Sequence, residues 1–277
     1  MISPKKGDIA IYVALVVIFL FFSIPLLWLL SLSLRTSAEI FVAEVSIVPR
    51  SPTLQNFVQI LSNPQFLGYL WNSVKLSVVG AAGGCIVAAP ASYAFSRFRF
   101  RGSSQLLFAL LAFQMLSPLV IMLPLYRYMQ ALGLAETHLG AALVYIAASA
   151  PVATWMLKGF FDAIPRELEE AAMIDGCGRL RAYLSILLPI ALPGLASTFV
   201  LTAMLGWSQF VVPFILLSQP EMLPISVGIF NFLGSYTGSA TQLVAAASIL
   251  SLLPAIAIFL VFQYFIIDNL MVGALKE

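Results

Sequence analysis

The 277-residue sequence is poor in charge, in cysteine and in histidine, and each shortage excludes a class of function. Charged residues make up 9% of the chain, against about 25% in soluble domains. Lys+Arg number 14 and Asp+Glu 12, so the net charge of +2 offers no footprint for nucleic acid. Two cysteines, Cys85 and Cys177, and one histidine, His138, cannot build a structural zinc site or a disulfide framework. A Ser-His-Asp arrangement would have to use His138, which has no nucleophile motif beside it. A G-x-x-x-x-G-K-[ST] phosphate loop is missing too, so the chain is not itself a P-loop nucleotide hydrolase. What it has in abundance is apolar surface. The 61% hydrophobic content and mean hydropathy of +1.00 are more than a water-soluble domain can hide. The sequence therefore reads as an integral membrane protein, and transport replaces catalysis as the leading class.

Six apolar runs are long enough to span a bilayer: about 9–34, 67–95, 105–125, 139–161, 189–217 and 242–267. The first follows Lys5 and Lys6 but is too long for a signal peptide and lacks a small-x-small cleavage site, so it is expected to be retained. The polar stretch 35–66 reads as a loop with room for short amphipathic structure, and 218–241 as a linker rich in Gly, Pro, Ser and Asn. With the N-terminus inside, the cytoplasmic side carries Lys5, Lys6, Arg97, Arg99, Arg101, Lys158, Arg166, Arg179, Arg181 and Lys276. The outer side keeps Arg35, Arg50 and Arg127. That asymmetry predicts a multi-pass protein of the cell (inner) membrane with both termini cytoplasmic. The expected fold is all-α, one transmembrane domain over 1–277, with spans two to six (67–267) as its core.

The segment 162–189 is charged and helical in period. Pro165 suits a first helical turn. Leu168, Ala171, Ala172 and Asp175 are expected to share one face, with Glu167, Glu170 and Ile174 beside it. Gly176 can end the helix in the left-handed conformation, and Gly178 permits a second bend. Leu180, Tyr183, Leu184 and Leu187 then fall at i, i+3, i+4 and i+7 of a second helix, before Pro189 and Pro193. The whole predicts a helix–turn–helix at the inner membrane face.

These residues carry a resemblance. Glu170-Ala171-Ala172, Gly176, Ile186 and Leu188-Pro189, at their spacing, are similar to the EAA loop of ABC importer permeases. Asn72-Ser73, the run Ala91 to Gly102, Leu123-Pro-Leu-Tyr126, Leu132-Gly-Leu134 and Gly273-Ala-Leu-Lys276 narrow the likeness. Together they resemble the shorter permease of carbohydrate importers of the maltose type. Where that branch commonly has Trp-Asn-Glu-Phe, this chain has Trp207-Ser208-Gln209-Phe210. The resemblance implies a sugar or polyol importer working by alternating access. It also implies a second homologous permease, an ATP-binding subunit dimer that holds ATP and Mg, and an extracytoplasmic solute-binding protein. This chain would carry no cofactor of its own. Glu170, Ala171, Ala172, Asp175 and Gly176 would dock on the ATPase, the C-terminal tail would reach the same interface, and Asn231 and Tyr236 would meet the binding protein. Much of the sugar's holding would fall to the partner permease.

Within the spans, Lys75, Gln114, Tyr145, Trp207 and Gln209 are the candidate substrate path, since a sugar route needs amides, hydroxyls and aromatic faces. Helix–helix hydrogen bonding is the ordinary job of such residues, and Lys75 is close enough to the outer edge to snorkel. Gly80-Ala-Ala-Gly-Gly84 fits a close-packing face. Rival readings are an ion-coupled secondary carrier using Lys75, an assembly protein, and an importer of sugar phosphate or another compatible solute.

Overall fold

The computed structural model describes residues 6–42, 48–235 and 241–274, with side chains described over 11–40, 48–230 and 241–261. Among these residues the regular structure is helical and no strand occurs. By compactness the chain divides into two units, Met1–Leu67 with Ile229–Leu253, and Gly68–Gly228 with Pro254–Glu277.

In the first unit, α1 (Lys6–Ser33) is apolar around its whole circumference. Phe19 and Phe22 are each 69% exposed and Ile11 60%, as expected of a helix whose solvent is lipid. A polar knot ends it. Asn56 Nδ2 donates to the carbonyls of Ser33 (2.7 Å) and Arg35 (2.8 Å), and Arg35 lies 5.5 Å from the Trp28 ring centre. The expected loop over 35–66 contains the short helices α2 (Ser37–Val42) and α3 (Gln55–Leu61). Gln242 Nε2 donates to Ser37 Oγ at 2.6 Å.

Helix α4 (Pro64–Arg97) opens with Asn63 Oδ1 accepting from the Gln65 and Phe66 amides and Pro64 in the first turn, where a missing N–H is harmless. The expected third span is not one helix. α5 (Ser103–Phe113) and α6 (Pro118–Ala131) meet at 93°. Ser117 is held extended because a residue before proline is disfavoured in the α region. α7 (His138–Ala163) is continuous and begins at Thr137, whose Oγ1 accepts from the Gly140 amide.

After α8 (Arg166–Ile174) comes α9 (Arg179–Ile190), which bends by 70° into α10 (Leu192–Trp207). Pro189 and Pro193 each lack a ladder N–H, and a π turn over Tyr183–Leu187 widens the helix just before them. The fifth span is thus bent near its start and ends at Trp207, short of 217, with α11 (Val211–Leu216) beginning after a second break. The linker 218–241 is not plain loop either, since α12 (Ile225–Ser235) lies inside it. α13 (Thr241–Ala274) is last. Among the described residues α1, α4, α7 and α13 are each long and apolar enough to cross a membrane, and counting α5–α6 and α9–α10 as broken spans gives six.

The second unit is built on small residues. A Cβ at Gly80 would stand 2.7 Å from Tyr145 Cβ, and one at Gly84 would strike Ser149 Oγ. The Gly80–Gly84 stripe therefore brings α4 against α7, the packing expected of it. Below this seam Ala88, Tyr93, Leu157, Phe161, Tyr183 and Leu187 form a buried cluster. Asn72 and Ser73 also tie into the fold. Asn72 Nδ2 donates to the carbonyls of Glu221 (2.8 Å) and Leu223 (3.1 Å), and Ser73 Oγ accepts from the Ile225 amide at 2.8 Å.

Candidate functional site

Two constellations in the second unit hold polar chemistry. The first is at the α8 end. Gly176 has φ +86°, the left-handed value that ends α8. Around it the Cys177 amide donates to the Ala172 carbonyl (2.9 Å) and the Gly176 amide to the Met173 carbonyl (3.1 Å). This is a Schellman turn. Pro165 stands one residue ahead of the helix, and Gly178 is extended, not left-handed.

The inward face of α8 combines one residue of the expected Leu168–Ala171–Ala172–Asp175 face with a glutamate from outside it. Its buried residues are Glu169 and Ala172, while Leu168 is 42% exposed and Ile174 86%. Glu169 accepts a 2.6 Å hydrogen bond from Tyr93 Oη through one oxygen. Its other oxygen lies 3.1 Å from Arg97 Nε, an ion pair without hydrogen-bond alignment, with the two side chains 9% and 6% exposed. Arg97 also donates from Nη2 to the Ile164 carbonyl (2.8 Å), Arg166 to the Ser96 carbonyl (3.2 Å), and Arg179 lies over the Phe98 ring at 5.4 Å. A carboxylate turns inward beside Ala172 because a guanidinium and a phenol meet it there. Glu170, Ala171, Asp175 and Gly176 are left exposed. In α9 the π turn shifts the register, so Tyr183, Leu187 and Ala191 are buried while Leu180 (71%) and Leu184 (51%) face outward.

The second constellation is a cavity of about 290 Å³ among α4, α7 and α10. Its polar lining includes Ser77, Gln114, Tyr145, Ser149, Ser208 and Gln209. Two of the three helix breaks open onto it: Gln114 sits between α5 and α6, Ser208 and Gln209 between α10 and α11. Irregular backbone at membrane depth is tolerated where it is buried in protein or lines a wet cavity. Gln114 Nε2 donates to the Ala148 carbonyl at 2.7 Å, and Ser149 Oγ to the Gly80 carbonyl at 3.0 Å. The Gln209 carbonyl accepts from Ser226 Oγ (2.8 Å) and, at 3.5 Å, from Tyr145 Oη.

Residues 80–271 match the family described as binding-protein-dependent transport system inner membrane component. The chain belongs to that family of ABC importer permeases. It is 31% identical over 252 residues to a sulfoquinovosyl glycerol transport system permease protein of Agrobacterium fabrum, covering 91% of this chain and 88% of that one. It is also 31% identical over 256 residues to a galactooligosaccharides transport system permease protein of Bacillus subtilis, covering 91% and 89%. In fold it is similar to a chain of a bacterial ABC transporter involved in the import of alginate, with TM-score 0.77, 23% identity, and 95% and 99% of the two chains covered.

Of the path residues picked from the sequence, the permease brings Gln114, Tyr145 and Gln209 to one cavity and leaves two outside it. Lys75 is half-buried on α4 and Trp207 half-buried at the end of α10, and neither lines the cavity. The secondary-carrier reading that rested on Lys75 gives way to the family assignment. Tyr236 lies outside the described residues, and Asn231 is described only as backbone of α12. Sequence reasoning missed Glu169, Arg97, Tyr93 and Ser77. Tyr93 and Arg97 are four apart at the end of an apolar helix, so they share a face, and a polar pair so placed signals a buried acidic partner.

Proposed function

We propose that this permease moves a sugar or related polyol across the cell membrane by alternating access, and that α8 is its coupling element to an ATP-hydrolysing subunit. The cargo class rests on the family and on relatives whose names specify glycosides and oligosaccharides. The partners are a second homologous permease, a dimer of ATP-binding subunits that holds the nucleotide and its Mg, and a solute-binding protein on the far side. The charge asymmetry orients the chain with both termini and α8 in the cytoplasm. On that charge-based orientation the segment carrying Asn231 and Tyr236 would meet the binding protein.

One observation carries the coupling role. α8 is locked to the end of α4 through one face and open on the other. Glu169 and Ala172 are buried, while Glu170, Ala171 and Asp175 are exposed and Ile174 is 86% exposed. A short helix held in this way passes on a displacement without stretching. Glu170 is free to accept charge-assisted hydrogen bonds, and Ala171 lets another backbone come close.

The test is uptake and ATP hydrolysis in vesicles holding the complete importer. Gly176→Val forces a β-branched residue into a left-handed turn, at about 1–2 kcal/mol. It should insert and assemble yet lose uptake and substrate-stimulated hydrolysis together. Glu170→Lys should do the same, while exposed Glu167→Ala should do little. Parent-like transport by both assembled variants would refute the coupling role.

A further inference from the structure

We infer that the loop between α4 and α5 and the start of α9 form a binding site for an anionic phospholipid, whose headgroup is held by Arg99, Arg101, Arg179 and Arg181. The inference needs a chain that spans the membrane and does not depend on the cargo. The orientation proposed above serves only to assign the site to the cytoplasmic leaflet.

Depth comes first. Residues 98–102 alone separate α4, a full span, from α5, the first half of a broken one, so the loop sits where both leave the hydrocarbon. α9 starts at the same level, because the Arg179 guanidinium lies 5.4 Å from the centre of the Phe98 ring. From there α9 leads into α10, the next span.

Both segments mix cations with apolar side chains. In the run Arg97-Phe98-Arg99-Phe100-Arg101 the rings fold back on α4, Phe98 against Tyr93 and Phe100 against Phe95, each pair with centres 5.8 Å apart. Arg99 and Arg101 are left exposed. In α9, Arg179, Leu180, Arg181 and Leu184 all face outward. Exposed leucines among arginines suit the boundary of headgroups and acyl chains, where cations meet phosphates and leucines meet the chains. Arg99, Arg101, Arg179 and Arg181 have no ion-pairing carboxylate among the described residues. Beside Phe98 a recess of about 160 Å³ is lined by Arg166 and Arg179, and by Arg97, Glu169 and Glu170. Glu169 is engaged by Arg97 and Tyr93, which leaves two guanidiniums against one carboxylate. A guanidinium fork matches a phosphate bidentately, so the balance favours a headgroup phosphate. The exposed acids Glu167 and Glu170 lie on α8, the face proposed for the ATP-hydrolysing subunit. The basic, leucine-bearing surface at membrane depth is complementary to anionic lipid instead.

The experiment titrates the complete importer, in neutral detergent, with dioctanoyl phosphatidylglycerol or dioctanoyl phosphatidylcholine and counts retained lipid by native mass spectrometry. Phosphatidylglycerol should be retained in preference to phosphatidylcholine. Each arginine beside an anionic headgroup is worth about 5-fold in affinity. Arg99→Gln with Arg101→Gln, and separately Arg179→Gln with Arg181→Gln, should each raise the phosphatidylglycerol concentration for half-occupancy of one site about 5- to 25-fold. Arg127→Gln, which removes an exposed arginine of α6 outside this site, should leave it unchanged. The two pairs lie on separate segments, so either reports should the other fail to assemble. Equal retention of the two lipids, parent-like retention by both pairs, or displacement of the lipid by an equal concentration of inorganic phosphate overturns the inference. Loss of the ATP-binding subunits from both pairs with lipid retention unchanged also overturns it, since the surface is then a protein contact. ATP-driven uptake by the unaltered importer in vesicles of the two lipids is measured alongside. Uptake without preferential retention refutes the lipid site alone, whereas retention without uptake of any sugar supports the site and refutes the importer reading.

Discussion

Two neighbouring glutamates in the coupling segment should behave in opposite ways, and the difference can be worked out from their surroundings. Glu169 and Arg97 are 9% and 6% exposed, and Tyr93 Oη donates to the same carboxylate. Glu169→Ala leaves a buried guanidinium with only the Ile164 carbonyl, and leaves the phenol with no acceptor. Breaking a buried pair from one side costs about 3–5 kcal/mol. Glu169→Gln keeps an acceptor for Tyr93 and loses the charge, so about 1.5–3 kcal/mol is expected. Replacing all three together, as Arg97→Met, Glu169→Leu and Tyr93→Phe, should recover most of the loss, because no buried polar group is then stranded. Glu170→Ala should leave stability unchanged, since that side chain is exposed. The protein carries its own reporter in Cys85, which is 7% exposed inside α4. Thermal unfolding can be followed as a thiol-reactive dye gains access to it, in a Cys177→Ser background. If Glu169→Ala melts with the parent while Glu170→Ala melts earlier, the inward and outward faces of α8 have been assigned the wrong way round.

Two further outcomes follow from the packing and the charge pattern. Gly84→Leu would drive a side chain into Ser149 Oγ and separate α4 from α7, at about 1–3 kcal/mol, which the same dye assay would read as an earlier transition. A cysteine at Ser51 should react with a membrane-impermeant reagent on intact cells and one at Arg179 should not, and labelling of position 179 would reverse the orientation.

The long spans were legible because lipid demands apolar residues on every side. α1, α4 and α7 begin and end within about three residues of the runs read from composition, and α13 begins beside its run but extends past its end to Ala274. The breaks were not legible, because hydropathy is blind to direction. Phe113 and Pro118 lie in one apolar run, and only the conformational demand of Pro118 on Ser117 turns that run by 93°. The same blindness extended 189–217 across Ser208–Phe210, where the helix stops. For α8, Gly176 announced its own left-handed turn, but the helical period alone did not say which face turns inward. What decides it is Arg97, about 70 residues earlier in sequence, a partner no local pattern contains. In the cavity, Gln114, Tyr145 and Gln209 were recognisable as polar groups inside spans. Ser77 was not, because a serine in a helix is ordinarily satisfied by its own backbone.

The two constellations share their supports, and on the proposed reading that is how hydrolysis reaches the cargo. Ser77 at the cavity and Tyr93 and Arg97 at the clasp lie on one helix, α4, with about 30 Å of helix between Ser77 and Arg97 at 1.5 Å per residue. Tyr145 and Ser149 at the cavity and Ile164 at the clasp lie along α7 or just past its end. The Gly80–Gly84 seam holds these helices so close that neither can slide without the other. A push on the open face of α8 passes through Glu169 to Arg97 and then along both helices together. Pro90 in α4 and Pro151 in α7 interrupt the ladders between the two sites, so bending concentrates there. The cavity walls would then tilt as a pair about those prolines. On that reading the motion would change which end of the path is open while the α4 and α7 walls of the cavity stay packed against each other at the glycine seam.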